Sequence, residues 1–280
     1  MPAPSALTLT QALQSATATG LDRLDAQLLL LHAAERAPHD RAWLIAHDTD
    51  TLTEAAQKTF MALVQRRTAG EPVAYLTGSK EFYGLELHVD ARVLVPRPDT
   101  ETLVDWALEV LQSKPNATVL DLGTGSGAIA LALKASRPDL GVLAIDFSHA
   151  ALAVAQANAQ RLKLDVQLAQ GSWLNQVTGR FDAIVSNPPY IAAQDAHLAA
   201  LTHEPLQALA SGDDGLDDIR HIIAQAPAHL HPGGWLLLEH GYDQAEAVRG
   251  LLRVAGLAQV QSRCDLAGIE RCSGGQWPAA

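Results

Sequence analysis

Apolar positions change their period twice along this chain of 280 residues. In the first 80 they recur at helical spacing. Leu24, Leu28 and Leu31 follow Asp22 at helical steps, which predicts a helix capped by that aspartate. Thr51 and Glu54 predict a capping box that opens a second helix running to about Arg67. Gly70 and Pro72 then end it. Short connections between such helices suit a small bundle. From Glu81 to Val89 apolar and polar residues alternate instead, and a second extended run, 92–95, follows Asp90 and Ala91. This predicts a hairpin of two strands joining two domains. Pro96 and Pro98 stiffen its exit, and Asp99 or Thr100 can cap a helix over 101–112.

Beyond Thr118 the pattern becomes strand–helix alternation. Strands are expected at 118–122, 141–145, 165–169, 181–186 and 235–239, with two short ones near 258–263 and 268–273. Helices are expected at 126–135, 150–162, 216–230 and 244–255, and 191–215 reads as a long polar insertion. The expected fold is α/β, a mostly parallel, doubly wound sheet with helices on both faces, preceded by a helical bundle. The expected domains are 1–80, a hairpin linker at 81–97, and 98–280. Ligands in such sheets lie at the carboxyl ends of the strands, so the loops after Leu122, Ile145, Ala169 and Ser186 should carry the chemistry.

Composition narrows the classes. Hydrophobic residues make up 48% and charged residues 18%, which excludes a disordered chain. No apolar run reaches the roughly 18 residues of a membrane span. The N-terminal stretch lacks the basic and apolar regions of a secretory leader. Cys264 and Cys272 are too few for a disulfide framework, and a cytoplasmic setting is expected. A net charge of −11, with 7 basic and 11 acidic residues over positions 1–90, argues against binding through a nucleic-acid backbone. The eleven histidines show no ligand spacing. His229 and His231 read as a helix end before a glycine turn, and no metal is expected.

Two loops carry the candidate chemistry. The first holds Gly123, Thr124, Gly125, Ser126 and Gly127 behind Asp121. Its glycines let backbone approach a ligand and turn tightly into a helix. Asp121 repels phosphate there and suits a cationic amino-acid group. Asp146 ends the next strand, where an acid can pair with ribose hydroxyls. The second is Asn187-Pro188-Pro189-Tyr190, at the end of an apolar strand. Its prolines remove two N–H donors and leave rigidly placed acceptors, among them the Asn187 side-chain oxygen. Such acceptors suit a planar NH2 group, and Tyr190 can stack on its flat face.

Together these residues resemble methyltransferases that use S-adenosylmethionine and act on a planar nitrogen. The flanks narrow the resemblance to the HemK/PrmC family: the run from Glu71 to Gly78, then Glu81 to Tyr83, then Leu94 to Glu101, and Ser211 to Asp217 in the insertion. That resemblance implies N5-methylation of the glutamine in the Gly-Gly-Gln motif of peptide chain release factors, with S-adenosylhomocysteine as the other product. It implies a helical N-terminal domain that recognises substrate, a hairpin, and a Rossmann-like catalytic domain, acting as a monomer without nucleic acid or membrane. The cofactor site would fall on Gly123, Thr124, Gly125, Ser126, Gly127, Asp146, Trp173 and Asn187. The acceptor would meet Asn187, Pro188, Pro189 and Tyr190, with Asn187, Pro188 and Tyr190 catalytic; Arg97 and Glu101 lie in a matching segment. The alternatives are a methylase of ribosomal-protein glutamine, a methylase of adenine or cytosine amino groups, and a non-catalytic adaptor. Gly274, Gly275 and Gln276 repeat the substrate tripeptide, a match of three residues that chance supplies.

Overall fold

The computed structural model describes residues 6–279. The first five residues of the stretch read above for a leader, and of the expected first domain, lie outside the described residues. The chain divides into two compact units between Ser79 and Lys80.

The first unit holds α1 (Leu9–Ala18), α2 (Arg23–Ala33), α3 (Arg41–Ala46), α4 (Glu54–Thr68) and α5 (Val73–Thr77). Asp22 caps α2 as expected, its carboxylate accepting the Leu24 N–H at 2.7 Å. The cap of α4 is Thr53 rather than Thr51, and its hydroxyl accepts the Ala56 N–H. Thr51 is instead extended and bridges Thr8, so the expected capping box does not form there. A full box closes α1, where Thr8 and Gln11 satisfy each other's backbone N–H groups. Leu29, Leu30 and Leu31 of α2 are fully buried with Phe60 of α4 and Leu9 of α1, and this cluster is the unit's core.

The division falls after the first residue of β1 (Ser79–Phe82), and β2 (Leu85–His88) follows in the second unit. The expected hairpin thus exists but turns inside the alternating run. Tyr83 and Gly84 both take positive φ, 52° and 75°, the pair of angles a two-residue turn of type I′ requires. The segment 92–95 is not a strand. Glu101 stabilises the turn by accepting the Tyr83 N–H at 3.0 Å, and the Tyr83 hydroxyl donates to Asp105. A short 3-10 turn, Pro98–Thr100, leads into α6 (Glu101–Leu111). Thr100 precedes that helix without capping it through its side chain.

The alternation then unfolds as β3 (Thr118–Leu122), α7 (Ala128–Ser136), β4 (Gly141–Asp146), α8 (His149–Leu162), β5 (Gln167–Gln170) and β6 (Phe181–Ser186). It continues with α9 (Asp217–His229), β7 (Leu230–Glu239), α10 (Ala245–Val254), β8 (Ala258–Cys264) and β9 (Glu270–Gln276). The seven strands order as β5-β4-β3-β6-β7-β9-β8. The first five pair in parallel, and β9 joins β7 and β8 antiparallel. The expected mostly parallel sheet is therefore present. Side chains alternate between its faces. On one, Leu236 and Leu238 of β7 join Ile219, Ile222 and Ile223 of α9 and Val248 and Leu252 of α10. On the other, Trp235 meets Trp106 of α6.

β7 begins five residues before the expected 235, and its register with β6 shifts between the Phe181–Leu230 and Ala183–Trp235 pairs. His229 closes α9 and His231 lies in β7. The insertion at 191–215 holds two 3-10 turns, Ala196–Ala200 and Leu206–Ala208, and a bridge between Ile191 and Ala210. Gly274, Gly275 and Gln276 lie within β9, paired to Leu237, Leu236 and Trp235 of β7. A Cβ at Gly274 would stand 2.6 Å from Leu237 Cδ2, so this glycine is required by packing.

Candidate functional site

Because β3 pairs with β4 on one side and β6 on the other, the chain order reverses at β3. A crevice opens at such a reversal, outside the carboxyl ends of the strands. The four loops expected to carry chemistry meet there around a cavity of about 230 Å³. Gly123, Gly125, Asp146, Trp173, Asn187 and Pro189 are among its walls.

Asp146 accepts the Gly125 N–H through Oδ2 and the Ser148 N–H through Oδ1, each at 2.8 Å. One carboxylate thus braces the glycine loop and the start of α8. Burial pushes this carboxyl above its ordinary value, and the two backbone donors oppose the rise. A Cβ at Gly125 would meet nothing within 4 Å, whereas one at Gly123 would stand 3.2 Å from the Trp173 ring. Gly123 has φ of 71° and Gly125 of 57°, angles at which a side chain is strained.

Asp121 was expected to offer charge to a ligand, and the structure uses it differently. It is fully buried, and its Oδ2 accepts the Thr124 hydroxyl at 2.6 Å and the Ala130 N–H at 3.2 Å. Oδ1 is buried without a partner. Burial pushes the carboxyl up to about 7, against the pull of its two donors. Thr124 and Ser126 are buried in the loop's own framework, and a Cβ at Gly127 would press on Leu131 and Ala155. These three residues and Asp121 are not among those lining the cavity.

Trp173 takes a left-handed backbone with φ of 51°, uncommon for a bulky residue. Its Nε1 donates to Asp218 at 2.9 Å, and Asp218 in turn accepts the Ser211 hydroxyl at 2.6 Å. Asp218 lines the same cavity and was not singled out from the sequence. Nor was Asn158, which is fully buried on α8. It donates to the carbonyls of Ser126 and His88 and accepts the His88 N–H, tying the glycine loop to β2. Its signal was a lone polar residue at helical spacing from Val154, Ala155 and Ala151.

At the end of β6 the Ser186 hydroxyl donates to the Leu122 carbonyl at 2.7 Å, locking β6 to β3 one residue before Asn187. Asn187 Nδ2 donates to Thr100 Oγ1 at 3.1 Å. The Tyr190 hydroxyl reaches Glu239 Oε1 at 3.3 Å, and burial next to that carboxylate holds the phenol well above its ordinary value. Pro188 and Pro189 are buried. A second, smaller cavity of about 90 Å³ adjoins, lined by Arg97, Asn187, Tyr190, Ile191 and Leu209 among others. Asn187 lines both cavities, while Pro188 is not among the lining residues of either.

Arg97 and Glu101, read together from the sequence, separate in space. Arg97 pairs with Glu204 at 2.5 Å, and Glu204 also accepts the Val95 N–H. That carboxylate is only 2% exposed, so the pair anchors the insertion to the segment before α6. Glu101 serves the β1–β2 turn instead. Among the described residues no three His, Cys, Asp or Glu side chains group as metal ligands, and no helix is long and apolar enough to cross a membrane.

Residues 7–78 match the family described as PrmC N-terminal domain, and residues 100–212 match the Methyltransferase small domain. A release factor glutamine methyltransferase of Bordetella pertussis is 52% identical over 260 residues, covering 91% of this chain and 95% of that protein. One of Xylella fastidiosa is 49% identical over 282 residues, covering 99% of each. Among solved structures, a methyltransferase from Pyrococcus furiosus has a TM-score of 0.54 at 18% identity, over 78% of this chain and 98% of that one, and shares the fold. With half its residues identical to these relatives over nearly its whole length, the chain belongs to the release factor glutamine methyltransferase family.

Proposed function

We propose that this protein is an enzyme that methylates the side-chain amide nitrogen of the Gly-Gly-Gln glutamine in peptide chain release factors, with S-adenosylmethionine as the donor. The observation that carries this reading is the placement of Asn187, which lines both the larger and the smaller cavity. A group in that position can touch a donor on one side and an acceptor on the other.

The larger cavity fits an S-adenosylmethionine molecule chemically: two glycines without Cβ atoms, the carboxylate of Asp146 for ribose hydroxyls, and the Trp173 ring for the base. The bound donor supplies an electrophilic methyl group on a sulfonium; the C–S bond breaks as the C–N bond forms. Gly123, Gly125, Asp146, Trp173 and Asn187 would hold it, with Thr124, Ser126 and Gly127 shaping the loop.

The acceptor is a planar amide whose nitrogen lone pair is delocalised. Asn187 Oδ1 and the Pro188 carbonyl accept its two N–H groups, and Tyr190 packs on its face. Acceptors placed for a more tetrahedral nitrogen favour the transition state over the planar ground state. Asn187 is not a base at neutral pH. The proton is therefore lost to water after methylation. No metal takes part in this scheme. Residues 1–80 bind the body of the folded release factor, and the protein works as a cytoplasmic monomer in translation termination.

The test is methyl transfer from labelled S-adenosylmethionine to a release factor, a ribosomal protein and DNA, measured side by side. Label in the release factor, mapped to the Gly-Gly-Gln glutamine, is expected. Label in either of the others alone overturns the assignment.

A further inference from the structure

Behind the acceptor loop lies a carboxyl group that the scheme above leaves unused. Glu239, the last residue of β7, is 1% exposed. It accepts the Tyr190 hydroxyl at Oε1, and the neighbouring Thr100 hydroxyl helps to hold its charge. Its Oε2 is buried with no partner. Arg271 of β9 and Asp99 of the 3-10 turn complete the charged surroundings, Arg271 bonding Asp99 at 3.0 Å.

Thr100 stands between this carboxyl and Asn187. It precedes α6 yet its hydroxyl accepts from none of the helix's free N–H groups. A carboxylate only accepts hydrogen bonds, and a threonine hydroxyl has one proton. Once that proton points at Glu239, Thr100 offers Asn187 nothing but a lone pair. An asparagine amide has one donor end and one acceptor end. The donor end, Nδ2, must therefore face Thr100, and this is the arrangement present, at 3.1 Å. Oδ1 is left for the other side, where an acceptor must find a substrate N–H. Without the carboxylate the Thr100 hydroxyl could donate to Asn187 instead, and the amide could rotate to present its NH2 to the substrate.

We propose that Glu239, acting through Thr100, is a positioning residue that fixes the rotation of the Asn187 amide so that Oδ1 meets the nitrogen to be methylated. This rests on the transfer reading given above. Burial pushes the Glu239 carboxyl up to about 7, with Thr100 and Arg271 opposing. At about pH 8 it is ionised and acts only as an acceptor.

The experiment compares wild type, Thr100→Val, Thr100→Ser, Glu239→Gln and the Thr100→Val/Glu239→Gln double variant at that pH, with a Gly-Gly-Gln peptide as acceptor. Thr100→Val and Glu239→Gln each lower kcat about tenfold, while the KM for S-adenosylmethionine changes by less than about twofold. Thr100→Ser restores kcat to within about twofold of wild type. The double variant loses no more than the worse single one, because the two residues act as one chain. Wild-type kcat in Thr100→Val, or losses that multiply in the double variant, overturns the proposal. A second readout does not depend on turnover: the side-chain NH2 resonances of Asn187, followed by NMR in asparagine-labelled protein, shift in both single variants. Resonances unmoved in both overturn the positioning role. Absence of methyl transfer by the wild type to any glutamine overturns the transfer reading instead, and the NMR result still decides the rotation.

Discussion

Asp121 and Glu239 lie near the ends of two strands of one sheet, both are buried, both carry an oxygen without a partner, and burial pushes both carboxyls up to about 7. They differ in reach. Asp121 bonds Thr124 and Ala130, three and nine residues away, so the donor end of the site is braced by its own stretch of chain. Glu239 bonds Tyr190, 49 residues away, and has Thr100 of a different element beside it, so the proposed acceptor end exists only when β6, β7 and the segment before α6 have come together. A local brace holds a loop whose task is to approach a ligand closely. A long-range brace holds the orientation of one polar group, which no short segment can do.

The largest effect is expected from Asn187→Ala, which removes the group shared by the two cavities. We expect kcat to fall about a hundredfold or more, on the scale of losing one preorganised polar group. Cofactor affinity should fall far less. Equal losses in turnover and cofactor occupancy would erase the distinction between donor end and acceptor end.

Asp146→Ala sharpens the comparison from the other side. Loss of a charged acceptor costs about 1.5–3 kcal/mol, roughly ten- to a hundredfold in Kd. The Gly125 N–H loses its partner as well, so the glycine loop should loosen, seen as faster hydrogen exchange over 123–127. Calorimetry showing unchanged S-adenosylmethionine affinity in a folded variant would remove Asp146 from the donor end.

A fragment beginning at about residue 80 asks whether the acceptor end needs more than the second unit. It is expected to bind cofactor, to methylate intact release factor about tenfold less well, and to lose less on a short Gly-Gly-Gln peptide, since remote binding energy positions the glutamine. A soluble fragment fully active on release factor would show that residues 1–79 hold no part of the substrate.

The smallest effect concerns the buried acids themselves. A carboxyl whose folded value is raised favours the folded state fully below its unfolded value near 4, and that contribution is lost as pH rises through about 7. Asp121→Asn and Glu239→Gln carry no such proton. Relative to wild type, their Tm should therefore rise across that window, by a few degrees for a change of about 1 kcal/mol. Parallel Tm curves from pH 4 to pH 8 would mean that both acids stay ionised.

What the sequence revealed follows the same division by reach. β3 and β6 were legible to the residue, because each is an apolar run closed by a turn signal. Gly123, Gly125, Asp146 and Asn187 were legible because each lies in or just beyond the end of such a strand, and strand ends of a doubly wound sheet converge, whereas Trp173 came only from the family resemblance. The hairpin was misplaced because 81–89 reads as one strand, and the backbone angles of Tyr83 and Gly84 reveal the turn inside it. Thr100 was read as a helix cap, the commonest task of a threonine before a helix, yet its hydroxyl accepts from Asn187 and neighbours Glu239. Asn158, Asp218 and Glu239 looked like ordinary helix or strand residues, since their partners lie on elements that neighbour them only in space.

The Gly274-Gly275-Gln276 segment is held along its whole length. Its backbone is engaged between two strands, and the Gln276 amide is held at both ends, donating to the Gly233 carbonyl at 3.0 Å and accepting from Gln259 at 2.6 Å. Freeing that glutamine means pulling β9 from between β7 and β8. The three letters that the resemblance assigns to a substrate are here part of a sheet, fixed by backbone pairing as well as by side chains.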